Sequence, residues 1–241
     1  MNCDKEKGIC QIGDSLPDQP QILPPESASS GVSFYYFGDP MCSWCWGGSE
    51  TFSELERQCN SLNFNFNIIT GGLRAGGGDE WNASFRQFLK DEWDHVAQRT
   101  GQPFTHKLLE RAHFEYDTEP ACRAVNTARH FLKSDELYNF FKAIQYQFYV
   151  LGDDPKEISF YQSLCEKYSI QFGEFEKVFK NSETKSETIK QFTLCRQWGI
   201  RSFPTVCFEY NGQLHPFIGG YIPPEYVGKL IKEKVIPLIR N

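Results

Sequence analysis

Cys42-Ser43-Trp44-Cys45 carries the most specific chemistry in the chain. It follows an unbroken aromatic run, Val32-Ser33-Phe34-Tyr35-Tyr36-Phe37, and precedes a pattern with Phe52 and Leu55 at helical spacing. A cysteine opening a helix meets free backbone N–H groups and the positive end of the helix dipole, and both favour a thiolate. Cys42 is therefore expected as the nucleophile. Cys45 falls one turn deeper on the same face, with Cα atoms about 5 Å apart, a span that a disulfide bridges without strain. The first thiol of such a pair attacks a substrate disulfide, and the second resolves the mixed disulfide. The competing reading is structural zinc, which wants a second close cysteine pair. The candidate is Cys3 with Cys10, with six residues between them in a polar tail.

The elements that must position this pair follow from the rest of the chain. It has 241 residues, 40% of them hydrophobic and 15% aromatic. That is enough apolar surface to offset ordering entropy, so general disorder is excluded. The net charge is −6 with no long Lys/Arg run, which argues against a nucleic-acid partner. No apolar stretch of about 18 residues offers a membrane span. The first thirty residues lack an apolar signal core, so a start at Met1 implies a cytoplasmic protein. The cysteines number nine, an odd count that a fully paired disulfide framework within one chain cannot have.

Residues 1–30 read as a flexible tail. Residues 32–37 suit a buried strand, and Phe64 to Thr70 reads as a second one. Residues 79–199 carry helical periodicity broken at glycines and prolines, and five to seven helices are expected there. Thr118 is a plausible cap for the helix opened by Glu119 and Pro120. Pro204–Tyr210 and Gln213–Ile218 read as strands joined by Asn211-Gly212, a strong hairpin signal. Pro223–Ile239 reads as a closing amphipathic helix. The first strand–helix–strand unit requires a right-handed crossover onto a parallel sheet, to which the hairpin adds antiparallel strands. The organisation expected is a sheet domain of residues 31–78 and 200–241, interrupted by a helical insertion of residues 79–199.

Ser202-Phe203-Pro204-Thr205 is the second notable piece. A proline at the start of a strand removes a donor where none is needed. From the residues alone, a trans bond there is the ordinary expectation.

Four segments together carry a family resemblance: YYFGDPMCSWCWG (35–47), GGLRAGG (71–77), YDTEPACRAV (116–125) and GIRSFPT (199–205). The first resembles the active-site signature of the DsbA family and is nearest its intracellular FrnE-like branch. The resemblance implies an α/β thioredoxin fold with a large helical insertion. It implies a thiol–disulfide oxidoreductase or isomerase that acts on protein or peptide thiols and disulfides. It also implies that Phe203-Pro204 is a cis pair facing Cys42 and Cys45. The tail lies outside it.

On this reading Cys42, Cys45 and Pro204 carry the chemistry. Trp44, Trp46, Phe203 and Asp39 shape or support a substrate groove. Asp39 is expected as a helix cap or a proton acceptor for Cys45; at least one of Trp44 and Trp46 is expected to pack into the core and the other to form an exposed apolar rim. Arg74 and Glu119 read either as ion-pair residues that position the insertion or as catalytic groups. No bound cofactor is expected beyond the redox-active Cys42–Cys45 disulfide, with glutathione or another thiol as reductant. Cys59, Cys122, Cys165, Cys195 and Cys207 read as buried packing residues. Cys3 and Cys10 either sit on a silent tail, pair with each other, or relay electrons to Cys42–Cys45. Two other functions remain open. One is a glutathione-dependent transferase or isomerase of the kappa-class or chromene-carboxylate type, whose members usually carry Ser at the attacking position. The other is a non-catalytic zinc or chaperone-like module.

Overall fold

The computed structural model describes residues 2–12 and 31–240. The aromatic run forms β3 (Ser33–Gly38), whose residues are buried apart from Tyr35. The chain then enters α1 (Ser43–Gly47), bends at Gly48 and continues as α2 (Ser49–Ser61). It returns as β4 (Asn65–Thr70), parallel to β3 from Ser33↔Asn65 to Gly38↔Thr70. After the helical segment come β5 (Ser202–Phe203), β6 (Thr205–Tyr210) and β7 (Gln213–Gly219). The four-stranded sheet runs β4-β3-β6-β7, with β6 antiparallel to both β3 and β7. Asn211 and Gly212 turn the β6–β7 hairpin with φ of 50° and 76°, the left-handed geometry their residue types favour. This is the parallel-plus-antiparallel sheet that the strand order predicted, and the thioredoxin arrangement that the family resemblance implies.

The helical segment supplies α3 (Ala83–Thr100), α4 (Glu119–Ala128), α5 (Ser134–Tyr146), α6 (Gln162–Lys167), α7 (Phe172–Lys180) and α8 (Ser182–Gln197). A π turn over Gln147–Leu151 extends α5. Its buried side chains are continuous with those of the sheet, so one apolar core runs from Phe34 and Val206 through Trp93 to Phe175. The chain closes with α9 (Val227–Leu230), a π turn over Ile231–Val235 and α10 (Ile236–Ile239). Thr118 stands at the N-cap of α4 but makes no side-chain cap bond; its hydroxyl accepts from the Arg74 amide at 3.1 Å.

One part of the sequence reading is corrected. Residues 2–12, expected within a loose tail, form a hairpin of β1 (Asn2–Asp4) and β2 (Ile9–Gln11). The Asp4 carboxylate accepts from the Glu6 and Lys7 amides at 3.1 and 3.0 Å, and Gly8 takes φ 65°. An Asx turn and a left-handed glycine thus close the loop. β2 then pairs antiparallel with β5, Cys10 opposite Phe203 and Gln11 opposite Ser202. The rest of the expected tail, residues 13–30, lies outside the described residues.

Candidate active site

Cys42 is the N-cap residue of α1, in extended conformation, and its amide donates to the Asp39 carbonyl at 3.0 Å. Cys45 lies in α1 beneath it, with the Tyr36 hydroxyl alongside. The Phe203–Pro204 bond is cis. The Phe203 carbonyl accepts from Cys42 Sγ at 3.7 Å, and the Pro204 carbonyl accepts from the Gly220 amide at 3.0 Å. The structure therefore brings Cys42, Cys45, Phe203 and Pro204 together from segments some 160 residues apart in sequence.

Gly71 explains how Phe203 fits. A Cβ there would lie 1.7 Å from Phe203 Cζ, so only glycine admits the ring that aims the carbonyl at Cys42. Asp39 ties the same loops from below. Its carboxylate accepts from the Met41 and Leu73 amides at 2.8 and 2.7 Å and from Cys122 Sγ at 3.4 Å. Burial pushes its carboxyl up to about 6 despite these bonds. Asp39 is thus a bracket between the β3–α1 loop, the glycine loop and α4, rather than a cap on α1. Tyr116 adds to the bracket by donating to the Met41 carbonyl at 2.7 Å.

Both tryptophans are buried, so neither forms the expected apolar rim. Trp46 donates through Nε1 to the Pro103 carbonyl at 2.9 Å and stacks on Tyr149, linking α1 to the helical segment. Trp44 lies under the N-terminal hairpin, its ring against Gly8 and the Arg99 guanidinium 5.4 Å from its centre. Arg74 pairs with Asp79, and Glu119 pairs with Arg123 at 3.1 Å; they do not pair with each other. Cys59, Cys122, Cys165, Cys195 and Cys207 are all buried; Cys122 also donates to Asp39, and Cys195 to the Thr70 carbonyl at 3.7 Å.

The electrostatics also depart from expectation. Cys42 has no exposed surface, and burial pushes its thiol well above the ordinary range, reinforced by hydrogen bonds with Cys10 and Cys45. The reason is the hairpin, which sequence reasoning had left loose. Cys10 sits over the pair with its Sγ 3.8 Å from Ser43 Oγ. Burial would push the Cys10 thiol up, but hydrogen bonds from Cys3, Cys42, Ser43 and the Trp44 amide outweigh it and hold the thiol well below its ordinary range. The first-turn amide expected to favour a Cys42 thiolate thus serves Cys10. The Asp4…Gly8 turn signal flanked by Cys3 and Cys10 could have exposed this in the sequence; nothing local marked Ser43 or Tyr36.

Comparison with known proteins decides the family. A candidate protein disulfide isomerase from Nitrosomonas europaea is 30% identical and superposes with a TM-score of 0.77. That match covers 86% of this chain and 98% of that one. This chain belongs to the DsbA-like family of thiol–disulfide oxidoreductases. The cytosolic disulfide reductase DsbM from Pseudomonas aeruginosa shares the family fold at 20% identity, covering 85% of this chain and 99% of that one, with a TM-score of 0.67. A curated relative, the ClpXP adapter protein SpxH from Halalkalibacterium halodurans, is 26% identical over 110 residues, 42% of this chain. The chain spans about a third of that relative's length. No family model matches the chain. For this DsbA-like chain, the cysteine pair and the cis proline fall where one compact site can use them.

Proposed function

We propose that the chain catalyses thiol–disulfide exchange on protein or peptide substrates, with Cys42 attacking and Cys45 resolving. The observation that carries the reading is the placement of both thiols in one helix start, with Cys42 Sγ 3.7 Å from the Phe203 carbonyl ahead of cis-Pro204. The β5 backbone at this point pairs with β2, and a substrate strand can take the same edge once the hairpin moves, holding its sulfur beside Cys42. Attack by a Cys42 thiolate on a substrate disulfide forms a Cys42–substrate bond and releases one substrate thiolate. Cys45 then attacks Cys42 Sγ, closes the Cys42–Cys45 disulfide and releases the second substrate thiol. Burial of Cys42 means that the covering hairpin must move before an external substrate reaches it.

A thiol reductant returns the enzyme to the dithiol, and glutathione suits this role. The structure of DsbM with GSH shows that molecule on a protein of the same fold. A cytosolic site of action fits such a reductant. Two cysteines, rather than one serine, argue against the glutathione-transferase reading. No three His, Cys, Asp or Glu among the described residues are grouped to hold a metal ion.

The test is insulin reduction and refolding of scrambled substrate by the full chain, Cys42→Ala and Cys45→Ala. Cys42→Ala should fall to the rate of the reductant alone, and Cys45→Ala should accumulate mixed disulfide. An inert wild-type chain in every redox buffer would falsify the reading.

A further inference from the structure

The N-terminal hairpin is built like a substrate bound to its own enzyme. β2 takes the β5 edge, with Cys10 opposite Phe203. Cys10 has no exposed surface, and its Sγ lies 3.8 Å from Ser43 Oγ, beside the Cys42 thiol. Cys3 is the direct cross-strand partner of Cys10, and it is part-exposed. Opposed residues in an antiparallel pair have Cα atoms about 4.5–5.5 Å apart, inside the span a disulfide bridges. The hairpin is also docked from three sides. The Tyr221 amide donates to the Gly8 carbonyl at 3.1 Å, and the Ile12 amide to the Arg201 carbonyl at 2.9 Å. Lys5 Nζ lies 2.9 Å from the buried Glu92 carboxylate, and Arg99 donates to the Lys5 carbonyl. Gly220 must be glycine here, because a Cβ would lie 2.1 Å from the Lys7 carbonyl oxygen.

We propose that Cys3 and Cys10 form a second redox pair that exchanges electrons with Cys42–Cys45 through a Cys10–Cys42 disulfide, making the hairpin a built-in relay. The inference rests on the reading of Cys42–Cys45 as the redox pair. Starting from the Cys42–Cys45 disulfide, the Cys10 thiolate attacks Cys42 Sγ. The Cys42–Cys45 bond breaks and its electron pair leaves on Cys45. Cys3 then attacks Cys10 Sγ, the Cys10–Cys42 bond breaks, and Cys42 leaves as thiolate. In sum, Cys42–Cys45 gains two electrons and Cys3–Cys10 loses two; the one hairpin proton, on Cys3, passes to one of Cys42 and Cys45, and the other is released as a thiolate that takes its proton from solvent. Two equivalents of a low-molecular-weight thiol, entering at Cys3, then reduce Cys3–Cys10 and leave as their own disulfide. The hydrogen bonds that hold Cys10 below the ordinary thiol range supply the attacking thiolate, and Cys3 keeps its proton by donating to it.

The experiment maps disulfides in the full chain after glutathione/glutathione-disulfide titration, acid quench, alkylation and peptide mass analysis. Wild type should show both the Cys42–Cys45 and the Cys3–Cys10 peptides at intermediate potentials, and Cys10→Ser should lose the second while keeping the first. The double variant Cys3→Ser/Cys45→Ser should convert most of its chains to a Cys10–Cys42 linked peptide. Wild type that forms Cys42–Cys45 alone, with Cys3 and Cys10 alkylated or glutathionylated separately, overturns the relay and leaves the redox reading standing. Wild type that forms no Cys42–Cys45 disulfide overturns both.

Discussion

Cys42 and Cys45 hang on β3 and α1, which are rooted in the mixed four-stranded sheet and packed on every side. Cys3 and Cys10 hang on two three-residue strands joined to the body by one short edge and a few polar contacts. The first region is held by apolar burial: Phe34, Tyr36, Phe37 and Trp44 all have no exposed surface. The second is held by backbone pairing, the Lys5–Glu92 ion pair and a buried sulfur. An isolated two-stranded hairpin is marginal in water, so its docking is the weaker of the two constructions. A site made from one rigid and one weakly docked half can stay covered at rest and open without unfolding the scaffold. Substitutions in the two regions should therefore separate stability from access.

The largest effect is expected in the rigid half. Gly71→Ala drives a methyl into the Phe203 ring and should lower Tm by roughly 2–12 °C, an overpacking cost of about 1–3 kcal/mol, read by calorimetry. An unchanged Tm would show that this half gives way more easily than its packing implies.

Gly8→Ala strikes the weak half. It imposes a side chain on a φ of 65° and presses 2.7 Å from Tyr221 Cβ. A cost of about 1.4 kcal/mol on the docked state corresponds to roughly tenfold faster alkylation of Cys42. Tm should barely move, and a large fall in Tm would erase the distinction between the halves.

Glu56→Gln probes the scaffold alone. Burial pushes the Glu56 carboxyl up to about 7, and its Oε1 has no hydrogen-bond partner. The folded chain then binds more protons than the unfolded one between about pH 4.5 and 7, so wild-type stability falls as pH rises through that window. The variant should be more stable than wild type by about 1 kcal/mol at pH 8 and no more stable at pH 4.5, by denaturant titration. Cys42 alkylation should be unaffected.

Lys5→Ala is the smallest. It removes a half-exposed partner of Glu92 and should speed Cys42 alkylation by about threefold, in keeping with ion pairs of up to about 1 kcal/mol.

The same contrast governs what could be read from the sequence. The strands around the cysteine pair were legible because their apolar runs and the Asn211-Gly212 turn are local signals. The six helices of residues 79–199 were legible as a block through their periodicity. Cys42 and Cys45 were legible because spacing and helix start encode their chemistry. The protonation of Cys42 was not, since it depends on burial by a segment thirty residues away. The role of Asp39 was hidden for the same reason: its partners Leu73 and Cys122 are long-range. The hairpin escaped because three-residue strands are too short for a period-two pattern, and their stability comes from β5 and Tyr221 rather than from themselves.

The central claim is that Cys42 and Cys45 are the exchanging pair. Its most direct test is to poise the full chain in glutathione-disulfide buffer, alkylate it and identify linked peptides while insulin reduction is followed in parallel. The account predicts a Cys42–Cys45 linked peptide whose loss on addition of reduced glutathione tracks the gain of reductase activity. Cys42 and Cys45 alkylated as free thiols at every potential, with insulin still reduced, would contradict it.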